Sequence, residues 1–217
     1  MQLERIAQET VKVKVEPEPS DMAKFKREFV DEYLNASVNV AQMYTIWSKR
    51  CPKYFAPIAE PLLGMRCLRQ DPWECTLSFI CSQNNNIKRI TQLVAAFRDN
   101  FGPRINADGG NLHAFPTLAQ LKRGATDAKL RELGFGYRAP YIVSTLQTIE
   151  ERGGEDWIRG LRDKPLSEVR TELIALKGVG RKVADCIALF SMDCPETIPV
   201  DTHVFQIAKK FGFLKKA

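Results

Sequence analysis

Apolar residues recur every three to four positions along most of this chain, the spacing of one face of an α-helix. The pattern begins at about residue 21, where Phe25, Phe29 and Leu34 fall on one stripe. It continues through segments such as "SVNVAQMYTIWSKR", "DPWECTLSFICSQ", "IKRITQLVAAFRDNFG", "YRAPYIVSTLQTIEERGG", "LSEVRTELIAL" and "RKVADCIALFSMD". The pattern therefore predicts a mainly α-helical body.

A different pattern precedes the helical region. Val11, Val13 and Val15 alternate with charged residues, which predicts a short strand that Pro17 and Pro19 end. A lone strand has no partner, so we expect it either to complete a sheet outside this chain or to remain unpaired. The other end, "FGFLKKA", follows soon after the start of a helix. We therefore expect the chain to begin partway through a larger unit and to stop before its fold is complete.

Side chains that can accept backbone N–H bonds mark the predicted helix starts. The candidates are Ser20 or Asp21, Ser37, Asp71 followed by Pro72, Asn86, Thr117 and Thr126. Gly102 and Pro103 stop the helix that Asn86 begins. The segment that follows, "RINADGGNLHAFP", is predicted to be a loop because glycines and asparagines dominate it.

Charge adds a weak indication of function. The 217 residues carry a net charge of +6 and give a pI of about 9.0. A basic balance is common in proteins that bind nucleic acid, but many basic proteins bind none.

Six cysteines and two histidines limit the metal chemistry that the chain can support. No cysteines form a CxxC pair, which argues against a cysteine-based zinc site and against an iron–sulfur cluster. Those in "CTLSFIC" are predicted to be small buried apolar residues in a reducing compartment, the cytosol or nucleus. No apolar run is long enough to span a membrane.

The stretch "LKGVGRKVADC" joins two predicted helices through a Gly-x-Gly turn formed by Gly178 and Gly180. Glycines leave the backbone bare, and the amides at the start of the second helix can bind an anion such as a phosphate. An ordinary tight turn between helices is the alternative.

Lys182 lies in the first turn of that second helix, beside Arg181. The positive end of the helix dipole and the neighbouring arginine both disfavour a charged ammonium there, which predicts a nucleophilic amine. A phosphate-binding or merely solvated lysine remains the alternative.

The stretch "IPVDTHVFQIAKK" supplies a carboxylate at another helix start. Asp201 is predicted to be an N-cap, and bonds from backbone N–H groups would keep it ionised. Facing Lys182, it could stabilise a sugar cation, or it could orient and deprotonate the amine. His203 could donate to a phosphate, or it could be a loosely held surface residue.

Together these stretches resemble the helix–hairpin–helix–Gly/Pro–Asp (HhH-GPD) superfamily of DNA glycosylases, and within it the eukaryotic 8-oxoguanine DNA glycosylase family. The resemblance rests on "LRQDPWECTLSFICSQNNNIKRI", "LGFGYRAPYI" and "GVGRKVADCIALFSMDCPETIPVDTH", and it runs from about Phe25 to Ala217. It implies a bifunctional enzyme that removes 8-oxoguanine opposite cytosine through a lysine Schiff base and then cuts the strand by β-elimination. Lys182 would be the nucleophile and Asp201 the catalytic aspartate.

The resemblance also implies how DNA is held. Asn84 would fill the space left by the flipped base and contact the orphaned cytosine, and Asn85 beside it would also contact DNA. Arg89 and Arg138 would contact the orphaned cytosine, and Tyr137 would wedge beside it. Taken singly, Arg89 could be a solvated charge and Tyr137 a helix-start residue.

The remaining implied positions surround the hairpin. His203 and the amides around Gly178, Gly180 and Val183 would hold phosphates. Cys186 and Phe190 would line the base pocket. No cofactor is implied, although the backbone carbonyls of Ile174, Leu176 and Val179 could bind a monovalent or calcium ion when DNA is present.

The chain also departs from the family pattern. Complete members begin with a β-rich domain and continue beyond the "VDTH" helix, so we expect a truncated isoform or a fragment. Residues 1–66 would be the trailing part of the N-terminal domain, with a remnant strand, and residues 67–217 the helical catalytic region, with its hairpin at 167–193.

Two other functions stay open. One is an endonuclease III-like glycosylase for oxidised pyrimidines, which also carries "GRK" and "VDTH". The other is a non-catalytic DNA-binding module. The enzyme is expected to be a monomer that acts on double-stranded DNA in the nucleus, or also in the mitochondrion, without a membrane partner.

Overall fold

The computed structural model describes residues 2–7, 10–14, 19–107 and 110–214. Its internal contacts divide the chain into two units, Met1–Arg69 and Gln70–Ala217. The prediction of a mainly helical fold is confirmed. Among the described residues, no helix combines the length and the apolar character that a membrane crossing requires.

The first unit begins with a paired strand, so the prediction of an unpartnered one was wrong. Strand β1 (Gln2–Ala7) and strand β2 (Thr10–Lys14) are antiparallel, with Leu3 opposite Val13 and Arg5 opposite Val11. The partner strand alternates less clearly than β2, which is why the sequence pattern missed it. Val15 and Pro17 lie outside the described residues.

Short helices make up the rest of the first unit. They are α1 (Met22–Phe25), a π-helical segment (Lys26–Val30), α2 (Asp31–Tyr33), α3 (Val40–Arg50) and α4 (Ala56–Ala59). Asp21 caps α1 by accepting from Lys24 N at 2.8 Å. The Ser37 cap was wrong: Asn39 accepts from Gln42 N at 3.0 Å and α3 starts after it.

The second unit is a helical body. Its elements are α5 (Pro72–Ser82), α6 (Ile87–Phe101), β3 (Arg104–Ala107), β4 (Gly110–His113), α7 (Leu118–Gly124), α8 (Asp127–Glu132), α9 (Ala139–Glu151), α10 (Glu155–Gly160), α11 (Leu166–Ile174), α12 (Arg181–Ser191) and α13 (Thr202–Lys210). Short 3₁₀ turns, Gly136–Arg138 and Leu161–Asp163, precede α9 and follow α10.

Helix α5 lies at the centre of this unit and packs against α6, α9, α10 and α12. Asp71 caps it by accepting from the backbone N–H groups of Trp73 and Glu74, and Pro72 occupies its first position, as predicted. Leu77 and Ile80 of α5 are fully buried with Ile187 of α12. The N-caps Asn86, Thr117 and Thr126 are likewise confirmed.

The predicted loop after α6 is a β-hairpin, which corrects that expectation. β3 and β4 pair antiparallel, with Arg104 opposite His113 and Ile105 opposite Leu112. The glycines and asparagines favour a turn, but the residues on either side of them are extended and pair with each other.

Candidate active site

The hairpin between α11 and α12 is built on a buried apolar stripe. Val169, Leu173 and Leu176 are almost completely buried, as their helical spacing predicted. Gly178 has a φ of +84°, and a Cβ on it would come within 2.6 Å of Cδ2 of Tyr141. A side chain at this position would be strained and would also collide with the Tyr141 ring, so the turn requires glycine here.

The start of α12 is open. Its N-cap is Gly180, which has no side chain to accept the first backbone N–H groups, and the first turn contains no acidic residue. A Cβ on Gly180 would meet no atom within 4 Å. The amides at this end, together with the positive end of the dipole, therefore suit an anion. Arg181 and Lys182 stand in this turn.

The start of α13 is closed by a carboxylate. Asp201 accepts from Val204 N at 2.8 Å, so the predicted N-cap is confirmed. That bond is the main cause that lowers the pKa of Asp201 below its usual value of 3.8, and the charges of His203 and Lys182 act in the same direction. Asp201 is therefore an anion at neutral pH, and it lies within electrostatic range of Lys182.

Both helix starts line one cleft of about 880 Å³, which we call the lysine cleft. The end of α5 and the loop after it form another wall. Six of the predicted site residues line this cleft: Asn84, Asn85, Lys182, Val183, Asp201 and His203. The fold thus brings together the candidate nucleophile, the carboxylate and the loop of residues 83–86, which we call the asparagine loop, from three separate stretches of the chain.

Cys186 lies one helical turn after Lys182 and is buried. Burial raises the pKa of the Cys186 thiol, although the charge of Lys182 and its hydrogen bond to the thiol act in the opposite direction. Phe190, a further turn along α12, stacks on Phe79 of α5 at 5.6 Å between ring centroids. Neither Cys186 nor Phe190 is among the residues that line the lysine cleft.

Tyr137 and Arg138 hold the asparagine loop through hydrogen bonds to its backbone. The Tyr137 hydroxyl donates to the carbonyl of Gln83 at 2.9 Å, and the Arg138 guanidinium donates to the same carbonyl. A longer contact of 3.4 Å joins Arg138 to the carbonyl of Asn84. The guanidinium also lies 4.5 Å from the centroid of the Tyr137 ring. Arg138 is buried, so in this conformation its guanidinium supports the loop.

The loop itself has a constrained backbone. Asn84 has a φ of +43°, a left-handed conformation that asparagine tolerates better than most residues. Asn85 donates from Nδ2 to the carbonyl of Cys81 at 2.9 Å and so satisfies the end of α5. Arg89 donates from Nη2 to the carbonyl of Gly134 at 2.8 Å.

The predicted ion site would use carbonyls around the hairpin turn. The carbonyl of Leu176 accepts from Val179 N at 3.0 Å, which leaves one lone pair for another partner. Neutral carbonyl oxygens suit hard cations such as potassium or calcium. The donor chemistry of Ile174, Leu176 and Val179 therefore fits the predicted ion.

Sequence reasoning missed part of the cleft wall. Phe205, Gln206 and Lys209 of α13 line the cleft along with Thr202. These positions lie three, four and seven residues after Thr202, so helical spacing from the predicted start of α13 could have identified them. Gln83 also lines the cleft, and among the described residues its buried Nε2 has no hydrogen-bond partner.

Comparison with known families accounts for both units. Residues 77–217 match the model described as "HhH-GPD superfamily base excision DNA repair protein". Residues 2–76 match the model "8-oxoguanine DNA glycosylase, N-terminal domain".

Individual relatives agree with these matches. The chain is 45% identical over 183 residues to N-glycosylase/DNA lyase OGG1 of Arabidopsis thaliana. The aligned region covers 83% of this chain and 49% of the relative. The chain is 40% identical over 189 residues to N-glycosylase/DNA lyase of Saccharomyces cerevisiae, covering 82% and 50%. The chain thus spans about half the length of these curated relatives.

A solved structure has a similar fold. It is the 8-oxoguanine glycosylase/lyase of Clostridium acetobutylicum in complex with double-stranded DNA containing cytosine opposite 8-oxoguanine. The TM-score is 0.78 at 30% identity, over 86% of this chain and 63% of that one.

Proposed function

Because the chain belongs to the HhH-GPD superfamily of base excision DNA repair proteins, we propose that it removes 8-oxoguanine opposite cytosine from duplex DNA and then cuts the strand at the abasic site. The observation that carries this proposal is the lysine cleft, where Lys182 and Asp201 stand at the starts of two helices. An amine and an anion in one cleft match the needs of a reaction that passes through a cationic sugar.

The first step replaces the bond between the sugar and the damaged base by a bond between the sugar and Lys182. The amine nitrogen of Lys182 uses its lone pair to form a bond to C1′ of the damaged nucleotide while the bond between C1′ and the base breaks. The base leaves with the electron pair of the broken bond and takes up the proton that the newly bonded Lys182 nitrogen releases, which leaves a neutral secondary amine on C1′. Asp201 supplies negative charge opposite the sugar while positive charge develops on it, and its lowered pKa keeps the carboxylate ionised throughout.

The second step cuts the strand. The bond between C1′ and the ring oxygen opens, the oxygen takes up a proton, and Lys182 is left joined to C1′ as a Schiff base. Loss of a proton from C2′ then expels the 3′ phosphate oxygen with the electron pair of its bond to C3′. The positive charge of the Schiff base stabilises the electrons released at C2′, which is why the lyase step needs an amine.

DNA binding follows from the surfaces around the cleft. We assign the open start of α12, with the amides around Gly178, Gly180 and Val183, and the side chain of His203 to the phosphates. Asn84, with Asn85 beside it, would occupy the space that the flipped nucleotide leaves.

The orphaned cytosine is the next assignment. Arg89 and Arg138 would contact it, and Tyr137 would wedge beside it. Because Arg138 and Tyr137 both donate to the carbonyl of Gln83, this role requires these bonds to be shared or broken when DNA binds.

Two further roles complete the proposed site. Cys186 and Phe190 would line the base pocket. The carbonyls of Ile174, Leu176 and Val179 would hold an ion beside the hairpin when DNA is bound, where its positive charge would add to the attraction for phosphate. We place the enzyme in the nucleus, with the mitochondrion as a second compartment.

The match of residues 2–76 supports an oxidised purine as the substrate over the oxidised pyrimidine of an endonuclease III-like enzyme. That model describes the N-terminal domain of 8-oxoguanine DNA glycosylase.

Borohydride trapping tests this proposal directly. Borohydride reduces a Schiff base to a stable amine, so a reacting lysine becomes cross-linked to DNA. The duplexes carry 8-oxoguanine opposite cytosine, an oxidised pyrimidine, or a natural abasic site. We expect cross-links with the first and the third. Lys182→Gln should abolish both, whereas Lys209→Gln, which removes another lysine of the same cleft, should leave them detectable.

Other outcomes have distinct meanings. Cross-linking by the Lys182→Gln variant would show that another amine is the nucleophile. Trapping on the oxidised pyrimidine but not on 8-oxoguanine would favour the endonuclease III-like function. Absence of trapping on every duplex, from a folded sample that binds DNA, would contradict enzymatic function and favour a binding module.

A further inference from the structure

A second cleft also has Lys182 in its lining. It has a volume of about 590 Å³, and we call it the arginine cleft. Its charged lining includes Arg170, Arg181, Lys182, Asp185 and Glu196. Lys182 lines both clefts, so the arginine cleft begins beside the proposed catalytic centre.

A buried carboxylate lies between the two arginines. Asp185 is almost completely buried, and it accepts from Nε of Arg170 at 2.7 Å and from Nε of Arg181 at 3.1 Å. One guanidinium would neutralise this carboxylate, and Arg170 reaches it from α11 with a side chain that is 25% exposed. The second guanidinium therefore leaves a net positive charge.

That surplus charge is accessible at Arg181. The side chain of Arg181 is 66% exposed, although its Nε is fixed to Asp185. Fixing Nε orders the guanidinium plane and leaves its terminal NH₂ groups for another acceptor. Among the described residues, the Arg181 side chain has no hydrogen-bond acceptor other than Asp185. A planar guanidinium with free terminal groups suits bidentate recognition of phosphate.

The surroundings of Arg181 also favour an anion. Arg181 is the first residue of α12, where the helix dipole is positive and the first turn contains no acidic residue. Lys182 follows it directly. The sequence pattern alone gave Arg181 only a supporting role beside the lysine.

From these contacts we propose that Arg181 binds a phosphate of the substrate DNA with a guanidinium that Asp185 holds in place, in addition to the phosphates held by the hairpin amides. The inference rests on the proposed function, because it takes duplex DNA as the ligand.

The test measures how DNA affinity depends on salt, in a background that cannot cut the strand. The background variant is Lys182→Gln, and the ligand is a duplex with 8-oxoguanine opposite cytosine. Each phosphate contact adds about 0.9 to the slope of log affinity against log salt concentration. Arg181→Gln in this background should lower the slope by about 0.9 and weaken binding about tenfold at low salt.

Two variants serve as controls. Arg131→Gln removes the same charge from another exposed arginine. Arg131 also bonds through Nε to an aspartate four residues away on its helix, Asp127, at 2.6 Å. We expect the slope of this variant to equal that of the background. Arg181→Lys keeps the charge but loses the planar fork, so the slope should stay and the affinity should fall. Melting curves confirm that each variant is folded.

The inference and the proposed function fail in different ways. Equal slopes for the background and for Arg181→Gln would overturn the phosphate contact while leaving the proposed function intact. An equal fall in slope for Arg131→Gln would show a general loss of charge rather than a contact, and would overturn it too. If the background variant shows no salt-dependent binding to the duplex, the proposed function fails, and this inference fails with it.

Discussion

Two helices of this protein begin at the same cleft and begin in opposite ways. Helix α12 starts after Gly180 with no side-chain cap and places Arg181 and Lys182 in its first turn. Helix α13 starts after Asp201, whose carboxylate accepts the backbone N–H of Val204. The α13 start follows the usual rule for helix stability, and the α12 start departs from it.

The difference contrasts a residue that stabilises its own helix with a residue that would take part in the proposed reaction. Asp201 serves its helix and the proposed reaction at once, because the bond that caps α13 also keeps the carboxylate ionised. Lys182 would serve the proposed reaction at a cost to its own helix, since a cation at a helix N-terminus is unfavourable for the helix. Under the proposed function, the unfavourable start of α12 is the cost of placing a reactive amine in the cleft.

The largest expected effect comes from removing the charge of Asp201 without removing its cap. Asparagine is as good an N-cap as aspartate, so Asp201→Asn should leave α13 capped and lower the melting temperature only by the small contribution of the lost charge. Loss of the anion should lower the single-turnover rate of base release about 100-fold. Quenched-flow kinetics on the 8-oxoguanine duplex measures this rate.

The pH dependence follows from the same carboxylate. The pKa of Asp201 is lower in the folded chain than its ordinary value of 3.8, so its contribution to stability is present above that value and is lost as the pH falls through the lower folded pKa. Titration of Asp201 should therefore not appear in a rate profile between about pH 5 and 8. A rate of base release in Asp201→Asn equal to that of the native chain would contradict the electrostatic role.

The next effect concerns the two glycines of the turn before α12. Gly178→Ala should lower the free energy of unfolding by about 1–3 kcal/mol, because φ is +84° and the new Cβ would meet the Tyr141 ring. Gly180→Ala should cost less than about 1 kcal/mol, since its φ is −87° and the space beside it is open. Urea titrations compare the two, and equal losses would show that the turn does not depend on Tyr141.

The smallest effect concerns the helix dipole. Lys182→Gln removes a cation from the first turn of α12 and should raise the free energy of unfolding by about 0.3–1 kcal/mol. Lys209→Gln removes a cation from the last turn of α13 and should lower it by a similar amount. Thermal melts at low salt measure both, and shifts of the same sign in the two variants would contradict the comparison.

Short-range chemistry made much of this structure predictable from the sequence. The caps Asp71, Asn86, Thr117, Thr126 and Asp201 bond within two or three residues of themselves, so their neighbours along the chain identify them. The buried stripe of α11 follows from periodicity in the same way. The joining of the hairpin to the Asp201 region was expected from family resemblance rather than from any local rule.

Long-range contacts account for what the sequence did not reveal. The strand pairing of residues 2–7 with 10–14 and of 104–107 with 110–113 depends on partners that weak alternation does not identify. The burial of Arg138 depends on a carbonyl 55 residues away. The two arginines on Asp185 come from both helices of the hairpin, so only the folded structure shows that they share one carboxylate.

The asparagine loop has a consequence for how the chain is made. Its carbonyl at Gln83 is held by Tyr137 and Arg138, which follow it by 54 and 55 residues. A ribosome adds about 5–20 residues per second, so the supporting residues are synthesised roughly 3 to 11 seconds after the loop. During that interval the left-handed backbone of Asn84 lacks these supports, and the loop completes its wall of the cleft only once they have been translated.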